Sequence, residues 1–406
     1  MKIVNCTNCK SKKLSKIFSL GKLSFSGRFA KTFSEVIPSA QLNLIMCKVC
    51  KLVQLDRSFD PKYLYGKGYG YRTGINKTMT EHVKQTVRYA SKIANLEKKD
   101  CVLDIASNDG TLLSFYPKNI TTVGIDPLVN KYKSFYNKID FKISNFFNIK
   151  DITKLKIKKK FKIITALSVF YDLRDPNKFL KGLKQILDND GIFVLEHADL
   201  YSIIKNNIFD TICHEHLGYF SSKAIIEMMN NNGFKVFNHE FNNINGGSSR
   251  YYISHKNSKY KILKSVKNIL AKEKKLGLHH KKTFDIFFKK ILIENIKLKN
   301  LIGKIKKNNL SIHGYGASTK GNILLQFCKI GSKHIDYIAE RNPLKYGMYT
   351  PRTKIKIISE KLSRSLKPNY YLVLPWHFKK EILEREKKQI KKGVKFIFPL
   401  PNLNVH

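Results

Sequence analysis

From residue 101 onward the chain alternates short apolar runs with longer mixed segments. CVLDIASNDG, TTVGIDP, FKIITALSVFYDL and GIFVLEHAD each hold a stretch of strand length near Asp, Gly or Asn, and helix-length segments separate them. That pattern predicts alternating β and α units on a parallel sheet, with any ligand lying across the carboxyl ends of the strands. The turn SNDG at 107–110 is expected to follow the first strand and open a helix, with Gly110 letting a ligand approach the backbone. A second signal begins at LSIHGYGASTKGNILL, where a strand runs into Gly314, Gly316 and Gly321 ahead of a helix. Amides at that helix start would face phosphates in a nucleotide-binding domain, with Lys320 adding charge; a purely structural Rossmann-like domain leaves the same trace. KHIDYIAERNP, ending in Glu340 and Arg341, and NYYLVLPWHF, with the single tryptophan Trp376, continue the pattern. Between the two signals, Ile262, Val266, Ile269 and Leu270 recur at helical spacing in a Lys- and Ile-rich stretch, 257–309. This predicts a helical connector, or alternatively a basic partner-binding helix.

The chain has 406 residues, enough for two or three domains, and a formal net charge of +46. Such charge ordinarily suggests nucleic acid or an anionic membrane. The lysines, however, are spread evenly and travel with Ile and Asn, as in KNLIGKIKKNNLS, which fits a coding bias toward A- and T-rich codons. Nucleic acid is therefore not expected as a partner, while anionic small molecules such as nucleotide phosphates would profit from the field. No run approaches the roughly 18 apolar residues of a membrane span, and MKIVNCTNC lacks a secretory core, so a cytoplasmic setting is expected. Four of the seven cysteines form CTNC (Cys6, Cys9) and CKVC (Cys47, Cys50). Two such turns complete a closed tetrahedral zinc site, structural in role and contributing on the order of 10 kcal/mol to folding.

Residues 210–220, DTICHEHLGYF, place His214, Glu215 and His216 in a row after Cys213. Three adjacent ionisable groups are costly to bury, so they mark an acid/base centre or a structural polar cluster. An extended segment would put the two histidines on one face, and the H-E-x-x-H spacing of a zinc protease is absent. Upstream, DPKYLYGKGYGYRTG holds Tyr63, Tyr65, Tyr69 and Tyr71 among glycines, as a binding loop or a packed connection.

LDIASNDG, with Asp104 inside its strand, and GIDP, with Asp126 ending the next, match neither G-x-G-x-x-G nor a P-loop. Together they resemble the class I S-adenosylmethionine-dependent methyltransferases. The resemblance implies Asp104 and Asn108 near the methionine and ribose, Gly110 in the cofactor turn and Asp126 on the ribose. Ser168 would border the methyl donor, and Phe146 would flank the adenine or pack in the core.

The order of the two cysteine pairs, the tyrosine loop, LDIASNDG, FYDL, DTICHEHLGYF, NGGSSR, GYGASTKGN and ERNPLKYG resembles the sugar C-methyltransferase family. Its members methylate a carbon of nucleotide-linked 4-keto-deoxysugars. The resemblance implies an α/β chain with a zinc-binding domain over 1–75, a methyltransferase domain over 76–256, the helical connector, and a C-terminal Rossmann-like domain over 310–406. The last would hold the nucleotide sugar, with Gly314, Gly316, Lys320 and Glu340 as candidates. His216 would be the general base that makes an enolate, with Glu215 near the sugar and His214 beside them. Cys213 stands where the family motif Y-H-E-H has tyrosine, which makes Tyr71 the candidate for a phenolic role. Asn245 and Ser248 of NINGGSSR either position sugar or enolate or form a structural turn, and Arg250 is a candidate phosphate or sugar contact on the same terms. The rival readings are methylation of another activated ketone, an RNA methyltransferase, and an inactive nucleotide-sugar-binding protein. ALSVFYDL in place of an N-P-P-Y loop argues against the second. Cys213 and ASTKG, where the family has an Ala-Pro-Ala-Lys type of sequence, favour the third. The oligomeric state is not fixed by the sequence.

Overall fold

In the computed structural model, which describes residues 1–65 and 71–406, the chain opens with an antiparallel meander. It consists of β1 (Leu14–Ser24), β2 (Ser39–Cys47) and β3 (Val53–Leu55). The apolar runs of the middle region then become β4 (Cys101–Ile105), β5 (Thr121–Ile125), β6 (Phe141–Ile143), β7 (Phe161–Leu167) and β8 (Leu187–Ala198). A two-residue strand, β9 (Gly218–Tyr219), leaves this sheet and pairs with β3, extending the N-terminal meander. β10 (Phe234–Asn242) and β11 (Ser248–His255) complete a seven-stranded sheet in the order β10-β11-β8-β7-β4-β5-β6, with β11 antiparallel to both neighbours.

The central strands are apolar on both faces because both faces are covered. Leu103, Ile105, Ile164 and Phe193 enter one core, while Val102, Ile163, Ile192 and Val194 enter the other. The helix Lys77–Ala94 covers that second face through Val83, Val87, Ala90 and Ala94. Its first turn is capped by Asn76, whose side chain accepts from the Met79 amide. The helix expected after SNDG does not form. Only a 3-10 turn, Leu113–Phe115, fits between the loop and β5, because Pro117 breaks a segment already too short to propagate a helix.

The stretch expected as a helical connector forms two helices, Lys264–Leu276 and Lys281–Lys307. Ile262 precedes the first and is exposed, so it does not share the apolar stripe of Val266 and Ile269. On the second, Phe287 and Phe288 pack on Phe18 of β1, with ring centroids 5.8 and 5.1 Å away. β12 (Ile312–Tyr315), β13 (Tyr337–Glu340), β14 (Lys356–Ser359), β15 (Tyr370–Val373), β16 (Lys395–Phe398) and β17 (Asn404–Val405) form the last sheet. Its order is β14-β13-β12-β15-β16-β17, parallel except for β17. One apolar cluster joins β1, β2, the long helix and this sheet, so the ends of the chain pack together behind the central domain. Both parallel sheets reverse strand order beside their first strand, β4 and β12, which is where such sheets bind ligands. Among the described residues no helix is long and apolar enough to cross a membrane.

Candidate functional site

The two cysteine pairs converge. Cys6 Sγ lies 3.5 Å from Cys50 Sγ, Cys9 Sγ lies 3.5 Å from Cys47 Sγ, and all four sulfurs fall within 4.8 Å of one another. A tetrahedral zinc with four thiolates would space its sulfurs by roughly 3.8 Å, so the set fits that ion. The two turns match: Lys10 and Lys51 each follow the second cysteine with φ near +60°, at 61° and 58°. Each also donates its amide to the carbonyl of the first cysteine.

At the carboxyl end of β4 the chain turns through Ala106, Asn108 and Gly110, all left-handed, with φ of 59°, 52° and 74°. This winding leaves two carboxylates buried along the sheet edge. Asp104 accepts from Thr165 Oγ1 at 2.5 Å, while Asp126 accepts from the amides of Asn108 at 3.0 Å and Leu128 at 2.7 Å. Neither forms an ion pair with another described residue. Burial pushes the Asp104 carboxyl up to about 7 and the Asp126 carboxyl up to about 6. The Tyr116 hydroxyl, buried near Asp104, has no hydrogen-bond partner among the described residues. Uncompensated acids and an orphaned hydroxyl fit a cationic, hydroxyl-bearing cofactor such as S-adenosylmethionine. Asn108 also acts as a strap. Its side-chain oxygen accepts from the Thr73 amide and its nitrogen donates to the Tyr71 carbonyl, holding that segment across the loop. Asp109 reinforces the strap by accepting from the Gly74 amide and pairing with Arg72 at 3.3 Å. Phe146 is partly buried beyond β6, and it is its neighbour Phe147 that packs against the core. Ser168 follows β7 with φ 57°, its amide bonded to the Glu196 carbonyl.

The segment 213–217 is a bend, and its three ionisable side chains diverge. His214 packs edge-on against Phe25 and Phe59 and donates from Nε2 to the Ala40 carbonyl at 3.1 Å. Glu215 accepts from the Ser26 hydroxyl at 3.2 Å and the Gly27 amide at 2.8 Å. An added Cβ at Gly27 would stand 2.7 Å from its Oε1, so any larger residue there would push the carboxylate aside. Both residues thus tie the motif to the N-terminal unit, a structural use that the expectation of Glu215 near a sugar did not include. His216 turns the other way. Its Nδ1 lies 2.8 Å from the Thr211 carbonyl and must carry the proton, which leaves the Nε2 lone pair free to accept one. Burial first, and the Lys320 charge second, push this imidazole down to about 3.

Lys320 arrives from the C-terminal sheet. Its ammonium donates to the Asn245 carbonyl at 2.6 Å and is drawn toward Asp210. Trp376 crosses the same seam, its indole donating to Asp210 Oδ2 at 2.7 Å, and Gly246 leaves room for it. Several buried polar atoms here lack partners among the described residues: Asp210 Oδ1, Thr211 Oγ1, His197 Nε2 and His377 Nδ1. Unpaired groups at this density call for a ligand or water. The phosphate reading of the G-x-G loop is corrected. Gly314 lies inside β12, where a Cβ would strike Ile338 at 2.2 Å. Only Gly316, with φ 79°, turns the loop. The Ala317 amide is taken by Glu340 Oε2 at 2.7 Å, and the Gly321 amide by Ser318 Oγ at 3.0 Å. Glu340 also accepts from the amides of Arg341 and Asn342. Arg250 is not open to a phosphate either: it is buried, pairing with Glu196 at 2.7 Å beside His82. Ser248 bonds the Ile244 carbonyl, and Asn245, with φ 57°, offers its backbone rather than its side chain. Tyr71 is 42% exposed, and Tyr69 lies outside the described residues.

Sequence reasoning missed Tyr171, His197, Asp210, His377 and the buried pair His82–Glu196 that engages Arg250. The signal was present in GIFVLEHAD and FYDL, where polar residues sit at the carboxyl ends of apolar strands, the edge where ligands bind.

Three families match the chain in order. The putative zinc binding domain covers residues 6–65, the methyltransferase domain 75–239, and the C-methyltransferase C-terminal domain 243–401. The C-methyltransferase NovU of Streptomyces niveus is 26% identical over 366 residues, spanning 90% of this chain and 87% of that protein. The tRNA U34 carboxymethyltransferase of Campylobacter concisus (strain 13826) is 36% identical over 128 residues, 27% of this chain and 44% of that protein. Among solved structures, an S-adenosylmethionine-dependent methyltransferase from Clostridium acetobutylicum ATCC 824 aligns with 43% of this chain and 92% of its own. Its TM-score is 0.35 at 13% identity.

Proposed function

Since the chain belongs to the S-adenosylmethionine-dependent C-methyltransferases that join a zinc-binding, a methyltransferase and a C-terminal C-methyltransferase domain, we propose that it methylates a nucleotide-linked 4-keto-deoxysugar at the carbon beside its ketone. The observation that supports this most is the tautomer of His216, with Nδ1–H spent on Thr211 and Nε2 free at the seam between the central and C-terminal sheets. His216 Nε2 takes the proton α to the ketone, the C–H electron pair becomes the enolate double bond, and the carbonyl π pair moves to oxygen. When bound, S-adenosylmethionine supplies an electrophilic methyl for that carbon. Asp104, Asn108, Gly110, Asp126, Phe146 and Ser168 are the residues we assign to hold it. A histidine as weakly basic as the protein alone makes it abstracts protons slowly. Burial is the larger cause of that depression and the Lys320 charge the smaller, so a substrate group that offset this ammonium would relieve part of it.

The test is mass spectrometry of nucleotide-linked 4-keto-sugars incubated with the protein and S-adenosylmethionine, with tRNA as a control. One methyl gained on a sugar, with α-proton exchange in deuterated water, is expected; methyl gained on the tRNA instead would overturn the reading. His216→Asn should lower turnover by roughly 10²- to 10⁴-fold while S-adenosylmethionine binding persists. Unchanged turnover would remove His216 from the chemistry.

A further inference from the structure

The enolate needs a hydrogen-bond donor at its oxygen, and Cys213 cannot supply a good one, because it is buried to 1% and a thiol donates weakly. Several phenols surround the base. Tyr65 donates to the Glu215 carbonyl. Tyr219 sits on β9 in the N-terminal sheet, and Tyr71 is 42% exposed with its carbonyl tied to Asn108 and Tyr132. Tyr171 differs from all of them. It lies in the turn Phe170–Asp172 after β7, at the strand edge facing the cofactor loop, and is 7% exposed. Its ring stands 4.1 Å from the His216 ring at 48°, and its carbonyl accepts from the Leu217 amide at 2.8 Å, so backbone and ring together fix it against the base. Its hydroxyl lies on the side of Ser168, which follows β7 at the same strand edge. Ser168 can donate to the phenol oxygen, which leaves the phenol proton for a ligand.

We propose that Tyr171 donates the hydrogen bond that stabilises the enolate oxygen while His216 Nε2 takes the α-proton. The inference rests on the enolate reading above. Tyr171 keeps its proton throughout: the negative charge stays on the substrate oxygen until its pair re-forms the ketone, the enolate C=C pair would then make the carbon–methyl bond as the methyl donor's sulfur–methyl bond breaks with its pair left on sulfur, and the proton on His216 leaves to solvent. Burial, with the Asp172 charge adding to it, pushes the phenol well above its usual range, which keeps it a donor at every working pH.

Tyr171→Phe removes only the hydroxyl and leaves the ring against His216. With a keto-sugar that the wild type methylates, kcat and the rate of α-proton exchange should fall together by roughly 10²- to 10³-fold. The circular dichroism spectrum and the dissociation constant for S-adenosylmethionine should be unchanged, since a merely structural loss would move those first. Placing 3,5-difluorotyrosine at 171, which keeps the hydroxyl and the ring, should restore at least a tenth of wild-type kcat. A Phe variant within threefold of wild type in kcat and exchange overturns the assignment while leaving the function standing. A wild type that neither methylates nor exchanges any keto-sugar overturns both, since no enolate then forms for Tyr171 to bind.

Discussion

The two parallel sheets carry comparable loops at their switch points and use them in opposite ways. After β4, residues 106–110 wind through three left-handed positions and leave Asp104 and Asp126 buried without a cation among the described residues. After β12, residues 316–320 turn through Gly316 alone, and the nearby acid Glu340 is consumed by three backbone amides and lies 3.7 Å from the Lys345 ammonium. The first loop has an electrostatic deficit that a cationic ligand would fill. The second has none, and its domain instead lends Lys320, Trp376 and His377 to the neighbouring cleft. A glycine-rich turn after a strand therefore says where a ligand can go, and the state of the nearby charges says whether one is needed.

The sharpest way to break this comparison is to neutralise one acid from each loop. Asp104→Asn removes a buried charge from the loop we assign to the cofactor, so S-adenosylmethionine affinity should drop by about 2 to 3 kcal/mol, roughly 30- to 150-fold by calorimetry. The unfolding midpoint in urea should hardly move or should rise, because the lost charge had no partner. Glu340→Gln should do the reverse. One of its acceptor oxygens becomes an NH₂ group facing amide donors, at a cost of about 2 kcal/mol, read as a lower urea midpoint of the C-terminal sheet by hydrogen exchange. Cofactor affinity should then stay within twofold of wild type. If both variants lost affinity equally, the second loop would be a ligand loop after all.

How much of this was legible in the sequence depended on distance along the chain. The zinc turns are local, since two residues between cysteines set the geometry, and CTNC and CKVC could be read directly. LDIASNDG and GIDP placed the β4 loop and its two acids at a strand end for the same reason, although the helix expected after SNDG was lost to Pro117. The partners of the H-E-H motif were not legible. Glu215 meets Gly27 across 188 positions, and Trp376 meets Asp210 across 166. Nothing in the spacing of H-E-H reveals that two of its three side chains serve the N-terminal unit. Arg250 looked like a phosphate ligand because its counter-charge, Glu196, lies 54 positions earlier on the adjacent strand.

The gentlest probe of the contrast is pH, because it titrates the first loop without altering a side chain. Asp104 and Asp126 are held up at about 7 and about 6 by burial, so lowering the pH from 7.5 to 5.5 protonates both in the ligand-free protein. These two groups bind more protons folded than unfolded between about pH 4 and 7, so their effect on the ligand-free protein is to stabilise it as the pH falls, opposite to a salt-bridged carboxylate. Cofactor binding runs the other way. A sulfonium and an ammonium favour the ionised acids, so binding must expel the protons, and affinity should weaken by up to about tenfold per pH unit for each proton released. Titrations at pH 7.5, 6.5 and 5.5 should therefore show S-adenosylmethionine weakening steadily. S-adenosylhomocysteine, without the sulfonium charge, should weaken less. Equal pH dependence for the two ligands would mean that the sulfonium charge does not sense these acids, and the uncompensated charge of the first loop would then serve the ribose and the amine alone.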